Sequence, residues 1–254
     1  MLKALIFDVD GTLADTERDG HRVAFNQAFA EERLPIVWDE ALYGKLLAIT
    51  GGKERLAYFF THTRPDLRPS GDLMTVVQRL HARKTEIYGR LLSANAIPLR
   101  PGVLRLVREA RAEGLRLAIA TTTTPENLEP IWEALGPGAR SWFQSVAAGD
   151  CVAAKKPAPD VYEYALAGLG LTAAECLAFE DSENGLRAAM GAELKTIVTV
   201  TGYTHAQNFA GALLIVDHLG EPDQPLTRKG GAPFSGRFLD VRALRALSEA
   251  PTRE

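Results

Sequence analysis

The chain of 254 residues has few cysteines and no long apolar run. Cys151 and Cys176 are too few for a disulfide framework and lie in no metal-ligand spacing such as C-x-x-C, so we expect buried, unreactive thiols. No stretch of about 18 consecutive apolar residues could cross a membrane, and the N-terminus lacks the basic start, apolar segment and cleavage site of a signal peptide. These absences predict a soluble, cytoplasmic protein.

An excess of charge of one sign is also missing. The chain has 29 basic and 32 acidic residues, a formal net charge of -3, which gives no electrostatic reason to expect a nucleic acid or a membrane as the partner. An acidic protein can still bind anions locally. The hydrophobic content of 46% is ordinary for a soluble protein, and the length suits one large domain or a domain carrying an insert.

Five short apolar runs each finish in polar or small residues, a pattern typical of strands that are covered on both faces. Strands that alternate with helical patterns predict an α/β fold with a Rossmann-like parallel sheet, whose ligands bind beyond the carboxyl ends of the strands. The polar residues that end the runs would then meet in one crevice. The runs are LKALIF before Asp8, LRLAIA before Thr121, SVAAG before Asp150, CLAF before Glu180 and KTIVTV before Thr201; the helical patterns are VLRLVREARAEG, DVYEYALAGLG and ENGLRAAMGA.

The pattern changes between residues 16 and 93, where helical patterns follow one another without a convincing strand. We predict a helical cap domain over 16–93, inserted into a core domain formed by 1–15 and 94–254. Residues 14–17 and 94–101 would be the hinges. The segment 220–235 is rich in Gly and Pro and predicts a loop, after which FLDVRALRALSEA predicts a last helix.

Asp8 and Asp10 stand one residue apart at the end of the first apolar run. Two carboxylates this close raise each other's pKa, and desolvation raises both further, unless a cation or hydrogen-bond donors compensate. A divalent metal would compensate, and Mg²⁺ prefers carboxylate, backbone carbonyl and water oxygens. The alternative is that DVDG is only a turn with an exposed acidic pair. The position after an apolar run and before Gly11 favours the metal site.

A second acidic pair, Glu180 and Asp181 in FEDSENG, also follows a strand-like run. These carboxylates would approach the same crevice. The stretch could equally be an ordinary helix start, because Ser182 is a good N-cap and acidic residues favour a first helical turn. Both interpretations can hold together, with Ser182 capping the helix while Asp181 faces the metal.

Hydroxyl groups and a lysine follow two further strand-like runs. Thr121, Thr122 and Thr123 offer hydroxyls and N–H groups to an anion, although a threonine-rich helix cap explains them as well. Lys156 precedes Pro157, and a cis bond there would aim the lysine inward, since X-Pro is the linkage where cis costs little. A lone lysine at such a turn would otherwise be a solvated surface charge.

Taken in chain order, Asp-x-Asp, Thr, Lys-Pro and Glu-Asp resemble the four motifs of the haloacid dehalogenase superfamily, specifically its phosphatases with a helical cap after the first motif. The resemblance covers residues 2–219. It implies that Asp8 is the nucleophile that takes the phosphoryl group and Asp10 the acid/base, while Thr121 and Lys156 hold phosphoryl oxygens. The family's dehalogenases lack the second aspartate, so halide chemistry is not expected. The implied Mg²⁺ ligands are Asp8, the Asp10 carbonyl, Asp181 and Glu180, the last directly or through water.

Three cap segments, DTERDGH, TGGKER and LHARKTE, are similar to those of the CbbY group. That group removes the 1-phosphate of xylulose 1,5-bisphosphate, a by-product that inhibits Rubisco in Calvin-cycle organisms. Gly51 and Gly52 would free a backbone for close approach to a ligand, and Lys53 and Arg55 would supply positive charge for a second phosphate. The charged residues could instead be solvated on helix surfaces, and DTERDGH is one residue longer than the family pattern between its Glu and its His. The expected substrate-binding cap residues are Glu17, His21, Gly51, Gly52, Lys53, Arg55, His81 and Lys84.

The core motifs alone leave the substrate open, because phosphoglycolate phosphatases and β-phosphoglucomutases share them. A mutase would return the phosphoryl group to a sugar instead of water. A non-enzymatic phospho-receiver module also combines an acidic metal site with Thr or Ser and Lys, but the second carboxylate and the helical insertion argue against it. We therefore expect a monomeric, Mg²⁺-dependent phosphoric monoester hydrolase acting on a small sugar phosphate, with xylulose 1,5-bisphosphate as the first candidate.

Overall fold

A computed structural model describes residues 1–94 and 98–249 of the chain, and of residues 92–94 it describes the backbone only. Of the predicted second hinge, 94–101, residues 95–97 lie outside the described residues. The strands are β1 (Ala4–Phe7), β2 (Arg116–Ala120), β3 (Phe143–Ala147), β4 (Cys176–Glu180), β5 (Lys195–Thr199), β6 (Leu214–Val216) and β7 (Arg228–Gly231). The α-helices are α1 (Arg22–Glu31), α2 (Glu40–Leu46), α3 (Gly52–Tyr58), α4 (Leu73–Ala94), α5 (Val103–Ala112), α6 (Glu129–Leu135), α7 (Asp160–Leu169), α8 (Glu183–Gly191) and α9 (Val241–Glu249). Two π-helices are Glu17–His21 and Phe59–Thr63, and short 3₁₀ turns are Pro65–Leu67, Pro125–Leu128, Ala139–Trp142 and Ala173–Glu175.

These strands form one sheet in the order β3-β2-β1-β4-β5-β6-β7. Strands β1 to β6 pair in parallel, and β7 runs antiparallel to β6 at the edge. Phe7 at the end of β1 is level with Ile119 of β2 on one side and Phe179 of β4 on the other. The chain leaves β1 toward β2 and returns to β4 on the opposite side, which makes this end a topological switch point where such sheets bind ligands. The predicted α/β fold with a Rossmann-like parallel sheet is confirmed.

The central strand β1 is apolar throughout because helices cover both faces of the sheet. Leu5 and Phe7 belong to one buried cluster with residues of α5, α6 and α9. Ala4 and Ile6 point the other way and join a second cluster with residues of α7 and α8. An apolar run without polar alternation therefore fits a strand in this position.

The helices between β1 and β2 have a hydrophobic core of their own. The two ends of this helical segment lie side by side, because Ala14 forms a β-bridge with Leu99 and the N–H of Arg100 donates to the carbonyl of Leu13 at 2.8 Å. An inserted cap needs a core of its own and entry and exit segments that lie next to each other. The division into a cap over 16–93 and a core of 1–15 and 94–254 stays a proposal. The buried residues of this core are Phe25, Phe29, Ile36, Trp38, Tyr43, Leu46, Leu56, Phe59, Phe60, Val76, Val77 and Leu80.

The region after β5 differs from the prediction. The segment 220–235 is not a loop throughout, since it contains β7, and β6 was not foreseen from the sequence. The RKGG sequence of β7 has no apolar side chain to mark a strand; backbone hydrogen bonds hold this edge, including one from Ala232 N–H to the Leu213 carbonyl at 2.7 Å. The predicted last helix is present as α9.

The two cysteines also differ from the prediction in part. Cys176 is buried in β4 as expected, but Cys151 is exposed because β3 ends at Ala147 and the chain then turns at the surface. No helix in the described ranges is long and apolar enough to cross a lipid bilayer.

Candidate active site

The carboxyl ends of β1, β2 and β4 bring the polar motifs together at one edge of the sheet. Asp8 follows β1 directly, and its N–H donates to the Phe179 carbonyl at 3.0 Å. Thr121 follows β2 and Asp181 follows β4, so these residues are neighbours because their strands are. The structure thus assembles the residues; the roles assigned to them remain predictions.

Lys156 reaches this edge from the loop after β3 and is buried. Its ammonium nitrogen lies 2.7 Å from Asp8 Oδ1, 2.5 Å from Glu180 Oε1 and 2.9 Å from the Ala120 carbonyl oxygen. The Lys156–Pro157 peptide bond is cis, which confirms the prediction from the sequence. Burial would lower the pKa of Lys156, but the two carboxylates outweigh it and raise the pKa, so the side chain stays charged.

Asp8, Glu180 and Asp181 form a buried acidic cluster whose ligand oxygens lie within 4.8 Å of one another. Burial is the largest cause that raises the pKa of both Asp8 and Asp181, and the carboxylate of Glu180 raises both further. Lys156 offsets only part of this negative charge. A cluster of oxygen donors that lacks positive charge fits a hard divalent cation, so these residues could hold a metal ion.

Two glycines allow the carboxylates to come this close. At Gly11, where φ is +85°, an added Cβ would lie 2.3 Å from Oδ2 of Asp181. At Gly185, a Cβ would lie 1.9 Å from Oε2 of Glu180. Any larger residue would displace the carboxylate. Gly11 of the first acidic motif therefore makes room for Asp181 of the second, and Gly185 makes room for Glu180 of its own motif.

Glu180 is fully buried, and both of its carboxylate oxygens already accept hydrogen bonds. Oε1 accepts from Lys156 and from the Tyr162 hydroxyl, the latter at 2.6 Å, and Oε2 accepts from the N–H of Asp181 at 3.1 Å. A carboxylate held in this way orients its lysine. Ser182 caps α8 as predicted, since its Oγ accepts from the N–H of Gly185 at 3.2 Å.

Asp10 lies in a different environment, next to the helical segment. Its Oδ1 lies 2.9 Å from His21 Nε2 and accepts a hydrogen bond from Thr16. The Nδ1 atom of His21 lies 2.6 Å from the Lys84 ammonium, which has no acceptor, so Nδ1 accepts and Nε2–H donates to Asp10. Burial would raise the pKa of Asp10, but His21, Thr16 and Lys84 outweigh it and lower the pKa. Burial lowers the pKa of Lys84 itself to about 8.

A π-helix accommodates the longer DTERDGH segment. The N–H of His21 donates at 2.9 Å to the carbonyl of Thr16, five residues earlier in the chain. In an α-helix it would donate to Glu17, four residues earlier. A π-turn takes up one residue more than an α-turn, and such turns are frequent at functional sites. His21 therefore reaches Asp10 although the segment is longer than the family pattern.

Glu17 and Arg55 are joined through Tyr43. The Tyr43 hydroxyl donates to Glu17 Oε2 at 2.5 Å and accepts from Arg55 Nη1 at 3.0 Å. Arg55 is buried, and its Nε also donates to the Leu46 carbonyl at 3.2 Å. Among the described residues, no carboxylate lies within ion-pair distance of the Arg55 guanidinium, so its charge is available to an anion.

Gly51, Gly52 and His81 lie close together on the same side. Gly51 has φ of +93°, and a Cβ at Gly52 would lie 2.7 Å from His81 Nε2, so both positions require glycine as the structure stands. Burial first, and then the charges of Lys84 and Lys53, lower the pKa of His81 to about 3. This imidazole is therefore neutral at physiological pH.

Lys53 does not lie with the other predicted substrate-binding residues. Its ammonium lies 2.5 Å from Asp150 Oδ2, and the Lys53 side chain is 34% exposed. Asp150 also accepts from Lys155 at 2.7 Å. Lys53 lines neither of the two cavities described next, so a contact with substrate would require it to leave Asp150.

A cavity of about 380 Å³ lies between the acidic cluster and the helical segment. A smaller one of about 50 Å³ adjoins it on the helical side. Every predicted site residue except Lys53 and Glu180 lines one of the two. The larger contains Asp8, Asp10, Glu17, Gly51, Arg55, Thr121, Thr122, Lys156 and Asp181, and the smaller contains His21, Gly52, His81, Lys84 and Thr123.

Sequence reasoning missed several residues of the larger cavity. Thr201, which follows the fifth apolar run, was expected in the crevice and lines the cavity, whereas Tyr203 and Gln207, farther along the same loop, were missed. Asn184 lies in the first turn of α8, and its side chain donates to the Ala48 carbonyl at 2.9 Å and to Thr50 Oγ1 at 3.0 Å. No sequence signal marks this contact, because it depends on how the helical segment packs on the sheet domain.

Comparison with known proteins gives the family. The model of the haloacid dehalogenase-like hydrolases matches residues 2–192. Over 247 residues the chain is 48% identical to the plasmid CbbY protein of Cupriavidus necator, covering 96% of each chain. This chain belongs to the haloacid dehalogenase-like hydrolase family. Its expected resemblance to the CbbY group and its expected class, an enzyme of the phosphatase type, are confirmed.

Two solved structures agree with this fold. A variant of CbbY from Rhodobacter sphaeroides in complex with xylulose-(1,5)bisphosphate is 45% identical, with a TM-score of 0.80 over 86% of this chain and 95% of that one. A β-phosphoglucomutase from Clostridium difficile, 22% identical with a TM-score of 0.70 over 86% of this chain and 92% of that one, shares the fold alone.

Proposed function

We propose that this hydrolase is a Mg²⁺-dependent phosphatase that converts xylulose 1,5-bisphosphate to xylulose 5-phosphate, and that residues 16–93 are its cap. The observation that carries the proposal is the charge pattern of the cavity. One end has the acidic cluster with Lys156; the helical side has two buried cations, Arg55 and Lys84, neither of which contacts a carboxylate among the described residues. A substrate with a phosphate at each end matches both. The bisphosphate bound to the related CbbY variant supports this choice.

Asp8 is the nucleophile in this proposal. One of its oxygens attacks phosphorus, the bond from phosphorus to the sugar oxygen breaks, and an aspartyl-phosphate forms. Lys156, already 2.7 Å from Asp8, offsets the charge that the carboxylate and the phosphate bring together. Thr121, Thr122 and Thr123 offer hydroxyls and N–H groups to the phosphoryl oxygens. Asp8, Asp181, the Asp10 carbonyl and Glu180, the last directly or through water, would hold Mg²⁺, which would supply the remaining positive charge.

Asp10 is the acid and then the base. Its lowered pKa keeps it ionised in the free enzyme, and the negative charge of a bound phosphate raises that pKa, so that Asp10 takes up one proton from solvent when substrate binds. It gives this proton to the leaving sugar oxygen. It then removes a proton from the water that attacks the aspartyl-phosphate, which regenerates Asp8 and releases inorganic phosphate.

The substrate assignment is tested by phosphate release with Mg²⁺ from three compounds: xylulose 1,5-bisphosphate, phosphoglycolate and β-glucose 1-phosphate. We expect kcat/KM for the bisphosphate to exceed the others by about 100-fold, the value of two charge-assisted contacts. Chelation of the metal should abolish release. A higher kcat/KM on phosphoglycolate would refute the substrate while leaving the core chemistry intact. Formation of a 6-phosphate from β-glucose 1-phosphate, without phosphate release, would identify a mutase.

A further inference from the structure

The unusual feature of the helical core is a tyrosine whose ring is buried but whose hydroxyl connects two cavity residues. The Tyr43 side chain is 0% exposed, and its ring packs 5.9 Å from that of Trp38 and 6.4 Å from that of Phe25. The guanidinium carbon of Arg55 lies 5.2 Å from the ring centroid. Packing therefore fixes the ring, and with it the hydroxyl.

The direction of the hydrogen bonds through this hydroxyl is determined by chemistry. A guanidinium only donates and an ionised carboxylate only accepts, so the Tyr43 hydroxyl accepts from Arg55 and donates to Glu17. The Arg55 charge polarises the hydroxyl and strengthens its bond to Glu17. Burial first, and then Glu17, raise the pKa of Tyr43, so the hydroxyl keeps its proton.

This arrangement leaves both partners free toward the cavity that they line. Tyr43 contacts one oxygen of Glu17, and the described contacts use the Nε and one Nη1 hydrogen of Arg55 out of its five N–H groups. The remaining Glu17 oxygen can accept from a sugar hydroxyl, and the remaining Arg55 N–H groups can donate to a phosphate. Their separation is set by a single rigid side chain.

We propose that Tyr43 is a positioning residue that fixes Glu17 relative to Arg55 and thereby determines specificity for substrates that carry both sugar hydroxyls and a second phosphate. This inference rests on the proposed function. Tyr43 lies outside the linings of both cavities, so it acts through its two partners. Turnover of substrates that contact neither Glu17 nor Arg55 should not depend on the Tyr43 hydroxyl.

Tyr43→Phe is the decisive variant, since it keeps the ring and removes only the hydroxyl. We expect KM for xylulose 1,5-bisphosphate to rise about 10-fold with kcat within about 3-fold, because a uniform binding contact is lost. For p-nitrophenyl phosphate, which has neither sugar nor second phosphate, kcat/KM should stay within about 2-fold. Tyr58→Phe, at an exposed tyrosine of α3, is the matched control and should change neither substrate.

A double-mutant cycle provides the second measurement. Adding Tyr43→Phe to Glu17→Gln should weaken binding of the bisphosphate less than Tyr43→Phe does in the wild type, since part of its effect acts through Glu17. Additive losses, an unchanged KM in Tyr43→Phe, or equal losses on both substrates with a lower melting temperature would overturn the inference. Failure of the proposed function would be distinguishable from failure of this inference, because the wild type would then prefer another sugar phosphate. The role of Tyr43 would still be tested by comparing KM and kcat of Tyr43→Phe on that substrate.

Discussion

Asp8 and Asp10 are one residue apart, yet their partners give them opposite properties. Asp8 faces other carboxylates, and burial and repulsion raise its pKa; Asp10 faces His21 and Lys84, and its pKa is lowered. Asp8 is therefore the carboxylate that needs a further cation beside it to stay ionised, whereas Asp10 has compensating partners within the chain. Strand β1 ends at Phe7, so the two side chains lie on the loop after it, where strand geometry does not hold them on one face.

Asp8→Asn should abolish turnover and preserve the fold. The amide cannot attack phosphorus, so we expect kcat to fall at least about 10⁴-fold, a loss typical of removing a nucleophile. Removing one charge from a crowded acidic cluster should leave the melting temperature unchanged within a few degrees. Phosphate release and thermal unfolding measure the two effects. Substantial activity in a folded Asn variant would refute the nucleophile assignment.

Deprotonation of Lys84 should make phosphatase activity fall at alkaline pH, which gives the pH profile an alkaline limb. Its pKa is lowered to about 8, and only the ammonium form attracts a phosphate, so kcat/KM for the bisphosphate should fall as the pH rises above that value. Lys84→Met should have a lower kcat/KM without this limb, whereas Lys84→Arg, which stays charged, should also lose the limb but keep more activity. An alkaline limb that persists unchanged in Lys84→Met would contradict the assignment.

The sequence predicts residues whose position follows from a local rule and misses those that depend on packing. Asp8, Thr121 and Asp181 follow apolar runs, so their meeting point could be inferred. Tyr43 reads as an ordinary core aromatic, because nothing local indicates that its hydroxyl reaches residues from two other helices. The pairing of Lys53 with Asp150 was missed for the same reason.

The loops after β1 and β4 pack against each other as one structural unit. The loop after β1 turns at Gly11, against which the Asp181 carboxylate from the loop after β4 packs. Their parallel strands are neighbours, so the acidic residues approach without help from the rest of the chain. The elements that were missed, β6 and β7, are short or lack apolar side chains, and backbone pairing defines them.

Gly11→Ala should damage this unit. The residue would have φ of +85° and a Cβ 2.3 Å from Asp181, so we expect about 1 to 3 kcal/mol of lost stability and at least about a 10-fold loss of activity. Gly114→Ala is the matched control: φ is +74° but nothing lies within 4 Å, so it should cost about 1 to 2 kcal/mol and leave kcat unchanged. Denaturant unfolding and phosphate release measure both. Equal activity in the two variants would contradict a specific role for Gly11.

In the whole molecule, contacts between the helical segment and the sheet domain border the cavity. Asn184 binds the loop that contains Ala48 and Thr50, Lys53 pairs with Asp150, and the rings of Tyr43 and Tyr203 lie 6.0 Å apart. If residues 16–93 are a cap, substrate enters when these contacts separate and is shielded from bulk water when they form again.

The proposal that the cap recognises a second phosphate is tested most directly by comparing two substrates that differ only there. The measurement is kcat/KM for phosphate release from xylulose 1,5-bisphosphate and from xylulose 1-phosphate, with Mg²⁺ at one pH. Because Arg55 and Lys84 would lose their anion, we expect kcat/KM for the monophosphate to be lower by about 100-fold. Equal values for the two compounds would show that the buried cations do not bind the second phosphate and would contradict the proposed function.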